Sequence, residues 1–330
     1  MPLQKFLFTW SIFILFSSEL FASMDGNIDQ DLEGANITCL LKKQLSLCYY
    51  ADDKHGDEFK IQTTHFSSSK SRFFLSDSPQ NQELFIKVSL GKQEFIRLTT
   101  VQKYMKSINS DVAPLLCLPI RADYVDPYSI FVFSKINGVS IDEIISQYKL
   151  GKISEAEACR IYRLFGEAVA RMHGLGELKI VGQGLESRCL HEDLNADNVF
   201  FSSAKGIQFI DLGTMYLSLT YSYQREVKSE FTWLYARCFP TIFNSPFHPK
   251  PPLLAAFLSG YSIGSGLNQI EINSILYLLT MNHLASPMVT ERFSQEELSV
   301  LISELDDCLK QELKLTDYAQ WLRYKKTTNV

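Results

Sequence analysis

Apolar and polar positions in the first part of the chain follow short runs that are typical of strands. Residues 59–66, 72–76 and 83–90 are rich in strand-forming side chains, and turn-forming segments separate them. The following stretch, 93–108, repeats apolar residues at helical spacing. Another apolar run, YSIFVFS, closes residues 122–134. The pattern therefore predicts a small sheet with one helix inserted between its strands.

After Gly138 the spacing of apolar residues becomes helical. The longest such segment is 154–173, with Ser154 as a capping residue, Glu157 three positions later and Gly174 as a stop. Further helices are predicted over 140–148 and over most of 226–321, with a proline-rich break at 246–252. Two short apolar strands interrupt the helices at 199–201 and 207–210. Strands first and helices later predict an α+β protein.

The change of pattern also predicts the domain organisation. Residues 56–136 form a small, sheet-containing lobe, residues 137–330 form a mostly helical lobe, and the chain passes from one to the other near 134–138. Residues 24–55 form an extension that begins acidic and polar. It then carries a short apolar segment, which we interpret as a helix packed against the first lobe.

The first 23 residues have the layout of a secretory signal peptide. Lys5 precedes an apolar run over residues 6–16, and small residues follow at the end of the segment, at Ser17, Ser18, Ala22 and Ser23. This pattern predicts an exported protein. The alternatives are a membrane anchor formed by residues 6–22 and a buried first helix. Any contact of the chain with a membrane would then run through this segment.

Composition and charge narrow the class of protein. The 330 residues carry 32 Lys and Arg against 37 Asp and Glu, which gives a net charge of −5. This acidic balance argues against a nucleic-acid partner bound through a basic surface. None of the 7 cysteines forms a CxxC pair, and Cys39 and Cys48 are the one closely spaced candidate for a disulfide. We expect most of the others to be small core residues.

Residues 189–213 contain the groups that phosphoryl transfer requires. His191 and Asp193 are followed by Asn198 five residues after the aspartate, and by Asp211 thirteen residues after the asparagine. One carboxylate can position and deprotonate an attacking hydroxyl, while an amide oxygen and a second carboxylate can hold Mg²⁺. A hairpin of strands 199–201 and 207–210 is expected to bring Asp211 beside Asn198.

These residues resemble the catalytic motifs of the protein-kinase-like superfamily, and within it the branch of aminoglycoside phosphotransferases and choline kinases. The sequence HEDLNADN from His191 to Asn198 matches the HxDLxxxN catalytic loop of that branch, and Asp211-Leu-Gly213 matches its metal-binding motif. Three further segments resemble, in the right order, the hinge strand, the helix before the loop and a C-terminal helix: 131–143, 166–174 and 255–261.

The resemblance implies a bilobal fold, with a small antiparallel-sheet lobe and a mostly helical lobe. It implies ATP as phosphate donor, Asp193 as the catalytic carboxylate, and Asn198 and Asp211 as Mg²⁺ ligands. Residues 83–90 resemble the third kinase strand, which makes Lys87 the phosphate-binding lysine. Glu94 is its expected partner, because no other acidic residue lies between Lys87 and Asp111. The other nucleotide-binding residues implied are Ser67, Ser68 and Ser69 of the phosphate-covering loop and Ser134 and Ile136 of the hinge.

Several interpretations stay open at this point. The first is a phosphotransferase acting on a hydroxyl of a small molecule. The second is a pseudokinase or binding module, because no glycine lies between Gly56 and Gly91 to form a glycine-rich loop. The third is an exported protein kinase acting on another protein. The acidic residues of the loop suggest a cationic acceptor, or a calcium site, and they are Glu192, Asp193, Asp197 and Asp211.

Overall fold

The computed structural model describes residues 37–50, 54–68, 71–77, 82–108, 115–175, 177–218, 224–240, 250–291 and 293–312. The predicted signal segment lies outside these residues. The chain forms two compact units. The first contains the described residues up to Phe95 together with Pro119–Lys135, and the second contains Ile96–Leu118 together with the described residues from Ile136 onward. Residues 96–118, placed in the small lobe by the sequence, therefore cluster with the second unit.

A five-stranded antiparallel sheet forms the first unit, with the strand order β1-β2-β3-β5-β4. Every pair of neighbouring strands is antiparallel, and the connection from β3 to β4, which contains the helix Gln93–Ile108, passes across β5 because β5 lies between these two strands in the sheet. The structure gives the strand bounds as β1 (Gln62–Ser68), β2 (Ser71–Asp77), β3 (Glu83–Leu90), β4 (Arg121–Val125) and β5 (Tyr128–Ser134).

Helix α1 (Ile37–Tyr49) covers one face of this sheet. Leu41 and Leu45 lie one helical turn apart, and both join the buried cluster formed by alternate residues of β3 such as Ile86 and Val88. Arg121 of β4 also donates a hydrogen bond to the carbonyl of Leu47 at 3.1 Å. The prediction of a helix packed against the first lobe is confirmed.

Helices dominate the second unit. Those given by the structure are α2 (Gln93–Ile108), which begins in the first unit, α3 (Ile141–Lys149), α4 (Glu155–Leu175), α5 (Lys228–Arg237), α6 (Pro251–Gly264), α7 (Gln269–Leu284), α8 (Pro287–Thr290) and α9 (Gln295–Glu312). The predicted α+β class, with a small antiparallel-sheet part and a mostly helical part, is confirmed.

Short strands connect the helices of the second unit. One three-stranded sheet has the order β11-β10-β6, and the remaining strands form a second three-stranded antiparallel sheet, β13-β8-β7, and a two-stranded one, β12-β9. Their bounds are β6 (Val139–Ser140), β7 (Lys179–Val181), β8 (Gly184–Ser187), β9 (Cys189–Leu190), β10 (Val199–Ser202), β11 (Gly206–Phe209), β12 (Tyr216–Leu217) and β13 (Arg225–Glu226).

Helices α4 and α6 pack closely through glycines. A Cβ atom on Gly166 would lie 1.9 Å from the carbonyl oxygen of Phe257, and one on Gly260 would lie 1.8 Å from that of Arg163. Such contacts exclude any side chain, so the two helix backbones touch directly. This packing fixes α4, which leads into the segment of residues 189–213.

Some predicted boundaries differ from the structure for physical reasons. Pro251 and Pro252 do not break a helix but begin α6, since residues of the first helical turn need no N–H donor. Strand β4 was not predicted separately, because its residues are all partly buried and show no alternation. Helix α4 continues past the predicted stop at Gly174 and ends at Leu175.

The cysteines also differ from expectation. All seven lie in the described part of the chain, and none of them forms a disulfide there, so the suggested Cys39–Cys48 bridge is absent. Only Cys189 and Cys238 are fully buried. Burial raises the pKa of the Cys117 thiol to about 11, which keeps that thiol protonated at neutral pH.

None of the helices in the described residues is both long enough and apolar enough to cross a membrane.

Candidate active site

The loop after β9 carries Asp193 and is shaped by its own polar side chains. The Oδ1 atom of Asn195 accepts hydrogen bonds from the backbone N–H groups of Asp197 and Asn198, at 3.0 and 3.2 Å. It thereby caps a single 3₁₀ turn over Ala196–Asn198. The side chain of Asn195 therefore has a structural role in this loop.

Asn198 is buried and turned toward Asp193. Its Nδ2 atom donates to the backbone carbonyl of Asp193 at 2.9 Å and lies 3.3 Å from Oδ2 of the same residue. A carbonyl oxygen can only accept, so the amide nitrogen must face it. The amide oxygen of Asn198 is consequently turned away from this carbonyl and is not used in the contact.

A tight hairpin of β10 and β11 returns the chain to Asn198. Val199 pairs with Phe209, and the N–H of Ile210 donates to the carbonyl of Asn198 at 2.9 Å. Asp211 is the next residue, so the ladder holds it beside Asn198. The predicted hairpin is confirmed.

Asp211 has an unusual backbone conformation. Its φ of 52° places it in the left-handed region, which non-glycine residues seldom adopt. It precedes the 3₁₀ turn Leu212–Thr214 without capping that turn through its side chain. Glu192, next to Asp193, has a φ of 63°. Two strained positions in one small region are typical of a functional site.

His191 braces the loop against the hairpin. Its Nε2 atom contacts the carbonyl of Ile210 at 2.8 Å, and its own carbonyl accepts a hydrogen bond from the Thr214 hydroxyl at 3.1 Å. The imidazole is fully buried. These contacts join the segment before Asp193 to the segments on both sides of Asp211, as expected for a structural histidine.

A buried polar network supports the same loop from below. Glu230 of α5 accepts the N–H of Glu192 at 3.0 Å and contacts Nε2 of His173 at 2.8 Å. The Nδ1 atom of His173 lies 2.7 Å from the hydroxyl of Tyr261 on α6. Burial holds the pKa of Tyr261 well above its usual value, so this hydroxyl stays protonated and can donate a hydrogen bond to Nδ1 of His173. With Nδ1 as the acceptor and Nε2–H as the donor, His173 forms a hydrogen bond to both Tyr261 and Glu230.

Two arginines lie at the exposed side of the loop. Nη1 of Arg237 is 3.4 Å from Oδ1 of Asp193. Arg225 forms an ion pair with Glu192 and lies over the ring of Tyr216, with 4.1 Å from its Cζ atom to the ring centroid. The carboxylates of residues 192 and 193 are therefore both paired with guanidinium groups.

Lys87 and Glu94 pair within the first unit. The ammonium of Lys87 on β3 lies 2.7 Å from Oε1 of Glu94 in the first turn of α2, and both side chains are largely shielded from solvent. This is the pair that the sequence predicts.

The remaining predicted nucleotide-binding residues are placed as follows. Ser67 and Ser68 belong to the end of β1 rather than to a loop, since they pair with Arg72 and Ser71, and Ser69 lies outside the described residues. Ser134 ends β5, and its hydroxyl accepts a hydrogen bond from Gln82 at 2.7 Å. Ile136 is partly buried and belongs to the second unit.

The candidate ligands suit Mg²⁺ bound by two side chains better than Ca²⁺ bound by a cluster of four carboxylates. Asn198 and Asp211 offer amide and carboxylate oxygens side by side, and Mg²⁺ is commonly bound by one or two such ligands together with substrate phosphates. In the described part of the chain, no three His, Cys, Asp or Glu side chains lie close enough to hold a metal ion. The four acidic residues considered for a calcium site do not form such a group.

Sequence patterns missed Glu230, Trp233 and Arg237. Glu230 lies among the buried residues of α5, between Val227 and Leu234, and a carboxylate on the apolar face of a helix is a detectable signal. Trp233 and Arg237 are half-exposed, and no periodicity distinguishes them from ordinary surface residues.

Comparison with known proteins yields a structural likeness. No protein-family model matches the chain, and no curated protein matches it. One similar solved structure is described as "Amicoumacin kinase hAmiN in complex with AMP-PNP, Ca2+ and Ami". The two chains share 11% sequence identity with a TM-score of 0.49, and the match covers 86% of this chain and 97% of the other.

Proposed function

We propose that this chain is an ATP- and Mg²⁺-dependent phosphotransferase that moves the γ-phosphate to a hydroxyl of a small molecule. One observation carries the proposal. The hairpin of β10 and β11 joins Asn198 to Ile210, the residue before Asp211, and the Asn198 amide contacts Asp193, which supports a site formed by these three residues. The function is an inference from these residues and from the motif that they form.

Each residue has a defined task in this proposal. Asp193 orients the acceptor hydroxyl and accepts its proton while the hydroxyl oxygen bonds to the γ-phosphorus and the bond from that phosphorus to the leaving ADP oxygen breaks. Asn198 and Asp211 would hold Mg²⁺. The metal, when bound, supplies positive charge that offsets the charge on the phosphates. Lys87, held by Glu94, would supply a further cation for the phosphates.

The test compares substitutions of three aspartates that lie close together in the sequence. We expect Asp193→Asn to lower kcat by about 10²–10⁴-fold, because the base is lost. Asp211→Asn should weaken the binding of Mg²⁺, so that a higher Mg²⁺ concentration is needed for the half-maximal rate. The matched control is Asp197→Asn, since Asp197 is an exposed carboxylate of the same loop at a variable position of the HxDLxxxN motif.

The measurement is release of ADP and labelling of acceptors by γ-labelled ATP, combined with the thermal shift on adding Mg·ATP. Equal background turnover by wild type and Asp211→Asn across a broad acceptor panel would contradict the proposal. A thermal shift without any turnover would instead indicate a nucleotide-binding module. Intact-mass analysis of candidate proteins separates a protein kinase from an enzyme of small molecules.

We also propose that residues 1–23 direct export. The support is the order of a positive residue, an apolar run and small residues in the sequence. Fusion of residues 1–30 to a reporter should place the reporter outside the cytoplasm. A reporter retained in the cytoplasm would contradict export, and one that stays in the membrane fraction would favour an anchor formed by residues 6–22.

A further inference from the structure

An aromatic side chain and a cation stand side by side next to the proposed catalytic carboxylate. Trp233 and Arg237 lie four residues apart on α5, on the same face of the helix. The guanidinium carbon of Arg237 is 4.8 Å from the centroid of the Trp233 ring, and Nη1 of Arg237 is 3.4 Å from Oδ1 of Asp193. Trp233 is 50% exposed and the Arg237 side chain is 47% exposed.

Helix α5 is held to the loop on both sides of Asp193. The Glu230 carboxylate accepts the N–H of Glu192, and the Cys238 thiol, directly after the helix, lies 3.7 Å from the carbonyl oxygen of Leu194. Burial raises the pKa of Cys238, so its thiol keeps the proton for this contact. The position of Arg237 beside Asp193 therefore follows from buried contacts of the helix.

The charges at this side of the loop do not favour a cationic acceptor. Of the four acidic residues that suggested such an acceptor from the sequence, Glu192 is paired with Arg225 and Asp193 with Arg237. A cationic acceptor would have to approach two guanidinium groups of its own sign. A carboxylate or phosphate on the acceptor would meet donors instead, since a guanidinium has five N–H groups and Asp193 occupies only one of them.

We propose that Arg237 and Trp233 bind the acceptor, and that the acceptor is a small hydroxyl compound carrying an anionic group and a flat or apolar face. Arg237 binds the anionic group through its remaining N–H donors, and the exposed Trp233 ring supports the adjacent face. The acceptor hydroxyl is then delivered to Asp193. This inference rests on the phosphotransferase function proposed above and adds the class of its acceptor.

A matched series of aromatic alcohols tests the proposal. The probes share one ring and one primary hydroxyl and differ only in charge: 4-(hydroxymethyl)benzoate, benzyl alcohol and 4-(aminomethyl)benzyl alcohol. Binding to the full chain is measured by calorimetry, with and without Mg²⁺ and a non-hydrolysable ATP analogue. We expect the anionic probe to bind at least about tenfold more tightly than the cationic one, as one charge-assisted hydrogen bond would provide.

Variants assign the effect to the two side chains. Arg237→Gln should weaken binding of the anionic probe by about 10–100-fold and leave the neutral probe nearly unchanged. Trp233→Ala should weaken both probes, and Trp233→Phe should restore most of the loss. The matched control is Arg160→Gln, because Arg160 is likewise half-exposed, ion-paired (with Glu157) and stacked on an aromatic ring (Phe201).

The outcomes are distinct from those that test the phosphotransferase. Tighter binding of the cationic probe, equal binding of the anionic and cationic probes, or an equal effect of Arg160→Gln and Arg237→Gln would overturn the acceptor proposal. The acceptor proposal would also be overturned if the protein without nucleotide showed no preference for the anionic probe, even if it binds Mg·ATP. Failure to bind Mg·ATP, with the anionic preference intact, would instead contradict the phosphotransferase and leave an anion-binding surface.

Discussion

Single polar contacts decide the geometry at Asp193. The loop backbone is fixed by Asn195 from within, by His191 toward the hairpin and by Glu230 from below. The side chains of His191 and Glu230 are buried, so the loss of either one leaves its hydrogen-bond partner unsatisfied. The side chains expected to perform chemistry are therefore held by residues that do not touch the reacting atoms.

Substitution of Glu230 should show this dependence. In Glu230→Ala, the N–H of Glu192 and Nε2–H of His173 both lose their buried acceptor, and we expect the free energy of unfolding to fall by about 2–5 kcal/mol. Glu230→Gln should be milder, because its amide can serve Glu192 through oxygen and the opposite tautomer of His173 through nitrogen. Urea denaturation measures both. A Glu230→Ala protein as stable as wild type would show that the network carries no stability.

At the scale of elements, the contact of α4 with α6 depends on the absence of side chains. Gly166 and Gly260 bring each helix against backbone carbonyls of the other. A glycine inside a helix is intrinsically unfavourable by about 1 kcal/mol relative to alanine. Their presence here is explained by the close approach, which also fixes where His173 near the end of α4 and Tyr261 on α6 meet.

A pair of glycine substitutions separates packing from helix propensity. Gly260→Ala should destabilise the protein by about 1–3 kcal/mol or more, because its Cβ would lie 1.8 Å from a backbone oxygen. Gly174→Ala, also in a helix, meets no atom within 4 Å and should raise stability by up to about 1 kcal/mol. Thermal unfolding of both variants gives the comparison. Equal effects of the two substitutions would contradict the packing argument.

For the whole molecule, the two compact units have separate hydrophobic cores. The core of the first contains α1 together with the sheet, through Leu41 and Leu45. That of the second is built on α4 and α6. The described part of the N-terminal extension that forms α1 is therefore part of the folded first unit.

Leu45→Ala should weaken the first unit specifically. Removal of a side chain that is 1% exposed is expected to reduce stability by about 2–5 kcal/mol. Native-state hydrogen exchange should then speed up in β3, whose residues share its core, and remain unchanged in α7 of the second unit. Leu150→Ala, at a 68% exposed position, is the control. Uniform acceleration across both units would show that the chain unfolds as one cooperative body.

The sequence by itself determined much of the local structure. The bounds of β3, α2 and β5 follow from their apolar patterns, and the hairpin between Asn198 and Asp211 follows from two short strands separated by a turn. The resemblance of residues 83–90 to the third kinase strand implied Lys87, and the lack of another acidic residue before Asp111 implied Glu94 as its partner. Such features depend on neighbours along the chain, and periodicity records them directly.

Tertiary structure alone decided what surrounds Asp193. Glu230 lies 38 residues from Glu192, and Tyr261 lies 88 residues from His173, yet they form one buried network. Arg237 reaches Asp193 from 44 residues away and changes the expected charge of the acceptor side. No local sequence pattern predicts these contacts, because they depend on how α4, α5 and α6 pack against one another in the folded chain.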